Sequence, residues 1–316
     1  MYDGGVLRTG DALDGRYEVG RALSRGDTSE VWSAKDVTSA QEVAIKVPRV
    51  DARKAEVIAR LEQEGDVMAR LKSPFISSCL RVGRMPDGAP YLVFERLYGQ
   101  TLGDRMRKER FLSMEDAAWI VDDILEALVC ADGSGVVHRD LNPSNVFLEE
   151  TRSGRLRTKV LGFGLAKVRA VDAPASKPAT GGLSTVGEIA YAAPEQLGEA
   201  GTVSGRADLY SLGTILFRML AGRLPFGDVV GPALVTLKRE QETPSIDDVT
   251  GEKWPVAVSG FLRRTLARAP LKRYPTAEAT LLGWRAACAT LSGMTPPYDP
   301  SGRRDTDSGP ETPRKR

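Results

Sequence analysis

At 316 residues, with 44 Lys and Arg against 42 Asp and Glu for a net charge of +2, and with 41% hydrophobic and 27% charged residues, the chain has the composition of a globular protein able to bury a sizeable core. The balanced charge leaves no electrostatic footprint for a nucleic-acid partner. Cys79, Cys130 and Cys288 are widely spaced, odd in number and in no CxxC pair, which argues against a disulfide framework or a cysteine zinc site and for a reducing compartment, expected to be the cytoplasm.

Residues 1–15 form a short head without a basic region followed by an apolar stretch, so no secretory signal is read there. From 16 to 50, Tyr17, Val19, Val31, Val43, Ile45 and Val47 alternate with polar residues, predicting antiparallel strands with turns at Gly26 and Thr38-Ser39. Val57, Ile58, Leu61, Val67, Met68 and Leu71 recur at helical spacing, predicting a helix over 52–71 that Ser73-Pro74 stops. Residues 80–97 read as two strands joined by Pro86-Asp87-Gly88 and ending at Glu95-Arg96-Leu97.

Beyond that point the pattern becomes helical. Thr101 with Asp104, and Ser113 with Asp116, have the spacing of capping boxes, and a helix over 114–132 carries Ala117, Ile120, Val121, Ile124, Leu125 and Leu128 on one face before Gly133-Ser134-Gly135 releases it. The most apolar segment, Leu209 to Ala221, carries Arg218 and is shorter than the ~20 residues of a membrane helix, so it reads as a buried core helix and no membrane span is expected in this chain. The Pro/Ser/Asp/Arg-rich tail, 295–316, is expected to be disordered, and no internal repeat is evident.

Four motifs occur in the order of the protein-kinase signature set: Val43-Ala44-Ile45-Lys46, His138-Arg139-Asp140-Leu141 with Asn145, Leu161-Gly162-Phe163-Gly164, and Ala193-Pro194-Glu195. In this ordered set the chain resembles the bacterial branch of the eukaryotic-like (Hanks-type) Ser/Thr protein kinases, over roughly residues 16 to 290. The resemblance implies an α+β, bilobal kinase fold in one domain, 16–294. A small lobe, 16–97, would hold a five-stranded antiparallel sheet with one helix, and a mainly helical large lobe, 98–294, would follow the hinge.

It also implies a nucleotide cleft. Lys46 matches the strand lysine that holds the α- and β-phosphates, and Glu64 matches the helix glutamate that pairs with it. A purely structural tie between helix and sheet is the alternative. Val31 and Ala44 match the residues that close over adenine and Phe147 the one beneath it; Phe94 matches the gatekeeper, and Glu95 and Leu97 belong to the hinge. The Gly-rich loop is degraded, because its three glycine positions fall at Ser24, Gly26 and Ser29, and Asp27 at the tip sets a negative charge near the phosphates.

The departures meet at the chemistry. The metal-binding Asp of the family's DFG motif is Gly162, the lysine of the catalytic loop is Asn142, and Gly187-Glu188 stands where Gly-Thr is usual, setting Glu188 to repel Asp140. Asn145 is the one metal-position residue left. Asp140 survives as a vestigial base or as an orienting group; His138, the sole histidine, is expected to pack under Phe163. Arg139 would dock a phosphorylated activation segment, Leu165 to Ala193, in which Ser176, Thr180, Ser184 and Thr185 are candidate phosphoacceptors; Thr306, Ser308 and Thr312 are candidates in the tail.

The reading that follows is a pseudokinase acting as a scaffold or allosteric regulator for an active Ser/Thr kinase, or as a phosphorylation-dependent partner of a phosphopeptide-binding adaptor. ATP is expected to bind weakly if at all, and Mg²⁺ is not expected. Two alternatives stay open: an active but atypical Ser/Thr kinase, and a nucleotide sensor that binds without turnover.

Overall fold

The computed structural model describes residues 7–150, 156–163, 167–168, 186–198 and 203–291, with side chains of 167–168 and 186–188 outside that description. The small lobe is an antiparallel sheet of β1 (Ala12–Leu13), β2 (Tyr17–Arg25), β3 (Ser29–Asp36), β4 (Glu42–Pro48), β5 (Cys79–Arg84) and β6 (Pro90–Glu95), in the order β1-β2-β3-β4-β6-β5. That is six strands where five were expected. The added β1 pairs Leu13 with Tyr17, and Leu7 and Leu13 are buried in the small-lobe core, so the head packs on the sheet from Leu7 onward. A two-residue strand carries no alternation, which is why periodicity misses it.

Helix α1 (Ala55–Met68) lies on the sheet and buries Leu61, Glu64, Gly65, Val67 and Met68. It begins three residues later than the spacing predicts, because Val50–Ala52 forms a 3₁₀ turn first. Gly65 sets how closely helix and sheet approach: a Cβ there would lie 2.9 Å from Val82 Cγ2 and 3.0 Å from Leu92 Cδ2. The neighbouring Glu64 is brought down onto the sheet by that same contact.

The strands β7 (Gly99–Thr101), β9 (Val146–Glu150) and β10 (Leu156–Val160) form a second sheet, ordered β10-β9-β7, between the lobes. It joins helices α2 (Leu102–Lys108) and α3 (Met114–Gly133), while β8 (Val136–Val137) pairs with β11 (Lys167–Val168). Thr101 and Asp104 form the complete capping box, whereas at α3 only the Ser113 hydroxyl accepts from the Asp116 N–H. The large lobe continues through α4 (Val186–Tyr191), α5 (Arg206–Ala221), α6 (Gly231–Glu240), α7 (Ile246–Thr250), α8 (Val256–Thr265) and α9 (Ala277–Ala289).

Helix α5 is the buried core helix its apolar run predicts, and α9 is pinned to α3 by Trp284 Nε1 donating to the Ala118 carbonyl (3.1 Å) and by Arg285 on Asp122 (2.7 Å). One continuous apolar cluster runs from Val67 and Met68 of α1 through the large lobe, so the small-lobe helix is packed into the large-lobe core. Among the described residues no helix is long and apolar enough to cross a membrane.

A branched side chain at Gly65 must push α1 away from Val82 and Leu92. Gly65→Val is expected to destabilise the protein by about 1–3 kcal/mol, the usual range for overpacking a filled contact, measured by urea unfolding. An unchanged midpoint would show that the helix does not rest on the sheet here.

Candidate nucleotide and catalytic cleft

Strand β4 delivers Lys46 to the cleft, with Val31 opposite it on β3 and Ala44 paired to Phe94 on β6. Lys46 Nζ donates to both oxygens of Glu64, at 2.8 and 2.6 Å, and the Glu64 side chain is almost wholly buried. Phe147 lies on β9, opposite Thr101 on one side and Lys159 on the other. The candidate adenine-contacting residues thus sit on adjoining strands of the two sheets. Leu97 is buried at the hinge and its carbonyl accepts from Arg96.

Glu95 has a further role that periodicity cannot reveal. Its carboxylate accepts from the Ser78 N–H at 2.8 Å and from Lys159 Nζ at 2.7 Å, tying the hinge to β10. Lys159 is nearly buried and lies 64 residues from its partner. The Gly-rich-loop remnant closes as a tight turn in which Gly26 N–H donates to the Ser29 carbonyl (2.9 Å) and Arg49 donates to the Gly26 carbonyl (3.2 Å).

The catalytic loop hangs from Asp208 of α5. This buried carboxylate accepts the backbone N–H groups of His138 and Arg139, each at 2.8 Å, and Arg139 adopts φ +69°, a conformation non-glycine residues seldom take. Burial raises the Asp208 pKa to about 6, outweighing the two hydrogen bonds that favour its ionised form. The Arg139 carbonyl accepts from Gln196, whose own carbonyl accepts from the Ala193 N–H, and the loop is thereby tied to the Ala-Pro-Glu segment.

His138 stacks at 4.5 Å on Phe163, as expected. Its Nε2 lies 2.7 Å from the Leu161 carbonyl and its Nδ1 accepts from the Asp140 N–H (3.2 Å), which together select the tautomer protonated on Nε2. Burial depresses its pKa to about 4.

Asp140 is enclosed by amides. Asn142 Nδ2 donates to Oδ1 at 2.9 Å and Asn145 Nδ2 to Oδ2 at 3.0 Å, while Asn142 Oδ1 takes the Ser144 N–H (2.9 Å). The residue in the lysine position is therefore bonded directly to the would-be base. Gly162 has φ +77°, and a Cβ on it would lie 2.7 Å from Asn145 Oδ1 and 2.9 Å from Asn145 Cγ. Asn145 fills the space beside Gly162 and faces Asp140 with its other amide atom.

Below this loop, Arg273 makes a bidentate pair with Glu195 at 2.6 and 2.8 Å. Lys238 of α6, almost fully buried, donates to the carbonyls of Ile189, Ala190 and Ala192 at 3.1, 2.7 and 2.7 Å, holding the end of α4. Only the polar face of an otherwise amphipathic helix hints at Lys238, and nothing local reveals its carbonyl partners. The Glu188 side chain, Gly164, and the phosphoacceptor candidates Ser176, Thr180, Ser184, Thr185, Thr306, Ser308 and Thr312 lie outside the described residues.

The model of the protein kinase domain matches residues 17–284. The chain is 31% identical to the Ser/Thr-protein kinase PknB of Mycobacterium leprae over 95% of its own length and 47% of that protein, and 31% identical to PrkC of Bacillus subtilis over 85% and 40%. It therefore spans less than half the length of these curated relatives. Among solved structures, the PknI kinase domain of Mycobacterium tuberculosis superposes with a TM-score of 0.66 at 25% identity, covering 89% of this chain and all of that one.

His138 supplies a residue-specific pH test because it is the chain's sole histidine. Above pH 6.5 its imidazole is neutral folded and unfolded; between 6.5 and about 4 only the unfolded chain takes up the proton, so its contribution to stability falls as pH falls. Asp208 acts oppositely, since between about 6 and 3.8 the folded chain holds the extra proton. The imidazole nitrogen resonances should stay in the neutral pattern, with Nε2 protonated, down to pH 5. A midpoint at or above 6.5 would contradict the buried, neutral ring.

Proposed function

The chain belongs to the protein kinase family, and we propose that within it this is a catalytically impaired Ser/Thr kinase homologue, a pseudokinase that acts as a scaffold or allosteric partner in phosphorylation signalling. The observation that carries the reading is the exchange at position 162: the carboxylate is absent and Asn145 fills the adjoining space. Mg²⁺ favours carboxylate and water oxygens in a near-octahedral shell. Asn145 turns its amide nitrogen to Asp140, which leaves its Oδ1, a neutral oxygen, facing position 162. A neutral amide oxygen beside a glycine, without the carboxylate, is a poor donor set for Mg²⁺.

Loss of a metal-holding Asp and of a phosphate-facing Lys removes roughly 3 kcal/mol of transition-state stabilisation each, together about 10⁴-fold in rate. From a kinase rate of about 1–100 s⁻¹ this leaves about 10⁻⁴–10⁻² s⁻¹, with non-additivity between neighbours blurring the product. Such turnover is too slow for signalling by catalysis, whereas the lobes and the Lys46–Glu64 pair are intact. The relatives are named as Ser/Thr kinases, which supports a partner of that class, an active kinase or a phosphopeptide-binding adaptor.

A second reading, a nucleotide sensor without turnover, draws support from the same glycine. Without metal, an Asp at 162 would repel a triphosphate, so Gly162 permits weak, cation-independent ATP binding at Lys46.

Purified protein with ATP alone, ATP plus Mg²⁺ or Mn²⁺, and EDTA should give no Asp140-dependent label transfer from radiolabelled ATP. A melting shift that survives EDTA and vanishes in Lys46→Ala would select the nucleotide switch, and no shift the scaffold. Metal-dependent labelling abolished by Asp140→Ala would overturn both in favour of an atypical active kinase.

Restoring the carboxylate should not restore the enzyme. Gly162→Asp must place a Cβ at positive φ against Asn145, and is expected to cost about 1–3 kcal/mol of stability while leaving labelling at background. A rise in metal-dependent labelling in this single variant would show that position 162 alone disables the site.

A further inference from the structure

A cavity of about 370 Å³ opens beneath the catalytic loop, lined by Gly103, Met106, Asp140, Asn142, Tyr191 and Arg218 among others. The charged groups around it differ in how far their hydrogen-bonding capacity is used. Both Asp140 oxygens accept amide N–H groups, and both amide atoms of Asn142 are bonded. Arg107, at the rim, is paired with Asp104. Arg218 is different: it rises from the core helix α5, is half-buried, and among the described residues makes no ion pair. Its single described hydrogen bond runs from Nη1 to the Tyr191 hydroxyl, at 3.0 Å.

A guanidinium carries five N–H donors in a planar fork matched to carboxylate and phosphate oxygens. Raised on a buried helix and steadied by Tyr191, the Arg218 fork has its orientation set in advance, which lowers the entropy lost when an anion docks. Partial burial also weakens solvent screening of its charge. A cationic peptide side chain would meet Arg218 with like charge, and a neutral hydroxyl would use only one of the free donors.

We infer that this cavity binds a peptide through an anionic side chain, a phosphorylated serine or threonine, held by Arg218. The inference rests on the proposed loss of phosphoryl transfer: a cleft that no longer modifies a hydroxyl would instead read the modified form. Phosphate is preferred to carboxylate because it carries about −1.5 to −2 charge and three acceptor oxygens. The ligand's source would be a phosphorylated segment of a partner protein.

Fluorescent peptide pools identical except for a fixed central phosphoserine, glutamate, serine or lysine test this by fluorescence polarisation against the full chain. The phosphoserine pool should bind tightest. Arg218→Met should weaken it by about tenfold or more, the ratio expected for a lost charge-assisted hydrogen bond, and Arg218→Glu should shift preference to the lysine pool. Asp140→Asn, which removes the nearby negative charge, should tighten phosphoserine binding several-fold.

Each variant is melted alongside the wild type, and Arg218→Met serves if Arg218→Glu does not fold. No binding by the wild type, equal binding of all pools, or phosphoserine preference unchanged in a folded Arg218 variant would overturn the inference. Labelling of the serine pool with ATP would overturn the pseudokinase reading instead, while a surviving Arg218-dependent phosphoserine preference would leave the docking site standing.

Discussion

The buried carboxylate of Asp208 is the constraint on which the cleft depends. Carried on a core helix, it takes two consecutive backbone N–H groups, of His138 and Arg139, and so dictates the turn that follows. The positive φ of Arg139 is an unfavourable conformation that those bonds over-determine. From this fixed turn His138 is directed onto Phe163, the Arg139 carbonyl toward Gln196, and Asp140 into the cleft. Burying such a group unpaired would be costly; two aligned N–H donors make it tolerable.

Given that turn, the local chemistry is decided by which side chains reach Asp140. Two amides do so, from Asn142 and Asn145. The amide donor at position 142 stabilises the carboxylate and orders the loop without adding a charge to the cleft. At 162 the glycine carries no side chain, and Asn145 packs into the volume beside it. Asp140, Asn142 and Asn145 thus form one hydrogen-bonded unit.

Much of this frame was legible in the sequence, because its determinants are local. The capping box of Thr101 and Asp104, the Pro86-Asp87-Gly88 turn and the apolar run of α5 each follow from a few adjacent residues. The Lys46–Glu64 pair was readable through the ordered motifs, which set the register. What escaped were partners chosen by tertiary approach. Lys159 with Glu95 and Lys238 with three carbonyls join segments 46 or more residues apart, and no periodicity encodes them. The β1 strand and the 3₁₀ turn before α1 are too short for a pattern to register.

The distribution of retained and missing charges follows from what each charge would leave behind. Removing Lys46, Glu195 or Arg273 would strand a buried or half-buried ion partner, a loss of about 3–5 kcal/mol when a buried pair is broken. Removing Asp208 would orphan two backbone donors. At 142 and 162, by contrast, the partners of the family's lysine and aspartate are phosphate and metal, which the folded chain alone does not contain. Among the described residues no buried side-chain atom of Asp140, Asn142 or Asn145 is left unpaired, and Asn142 adds bonds to Asp140 and Ser144. Stability alone therefore suffices to preserve the frame, while folding requires no charge at 142 or 162. Ion pairs and buried carboxylates are held in place by folding itself, whereas a group whose partner is a ligand is not.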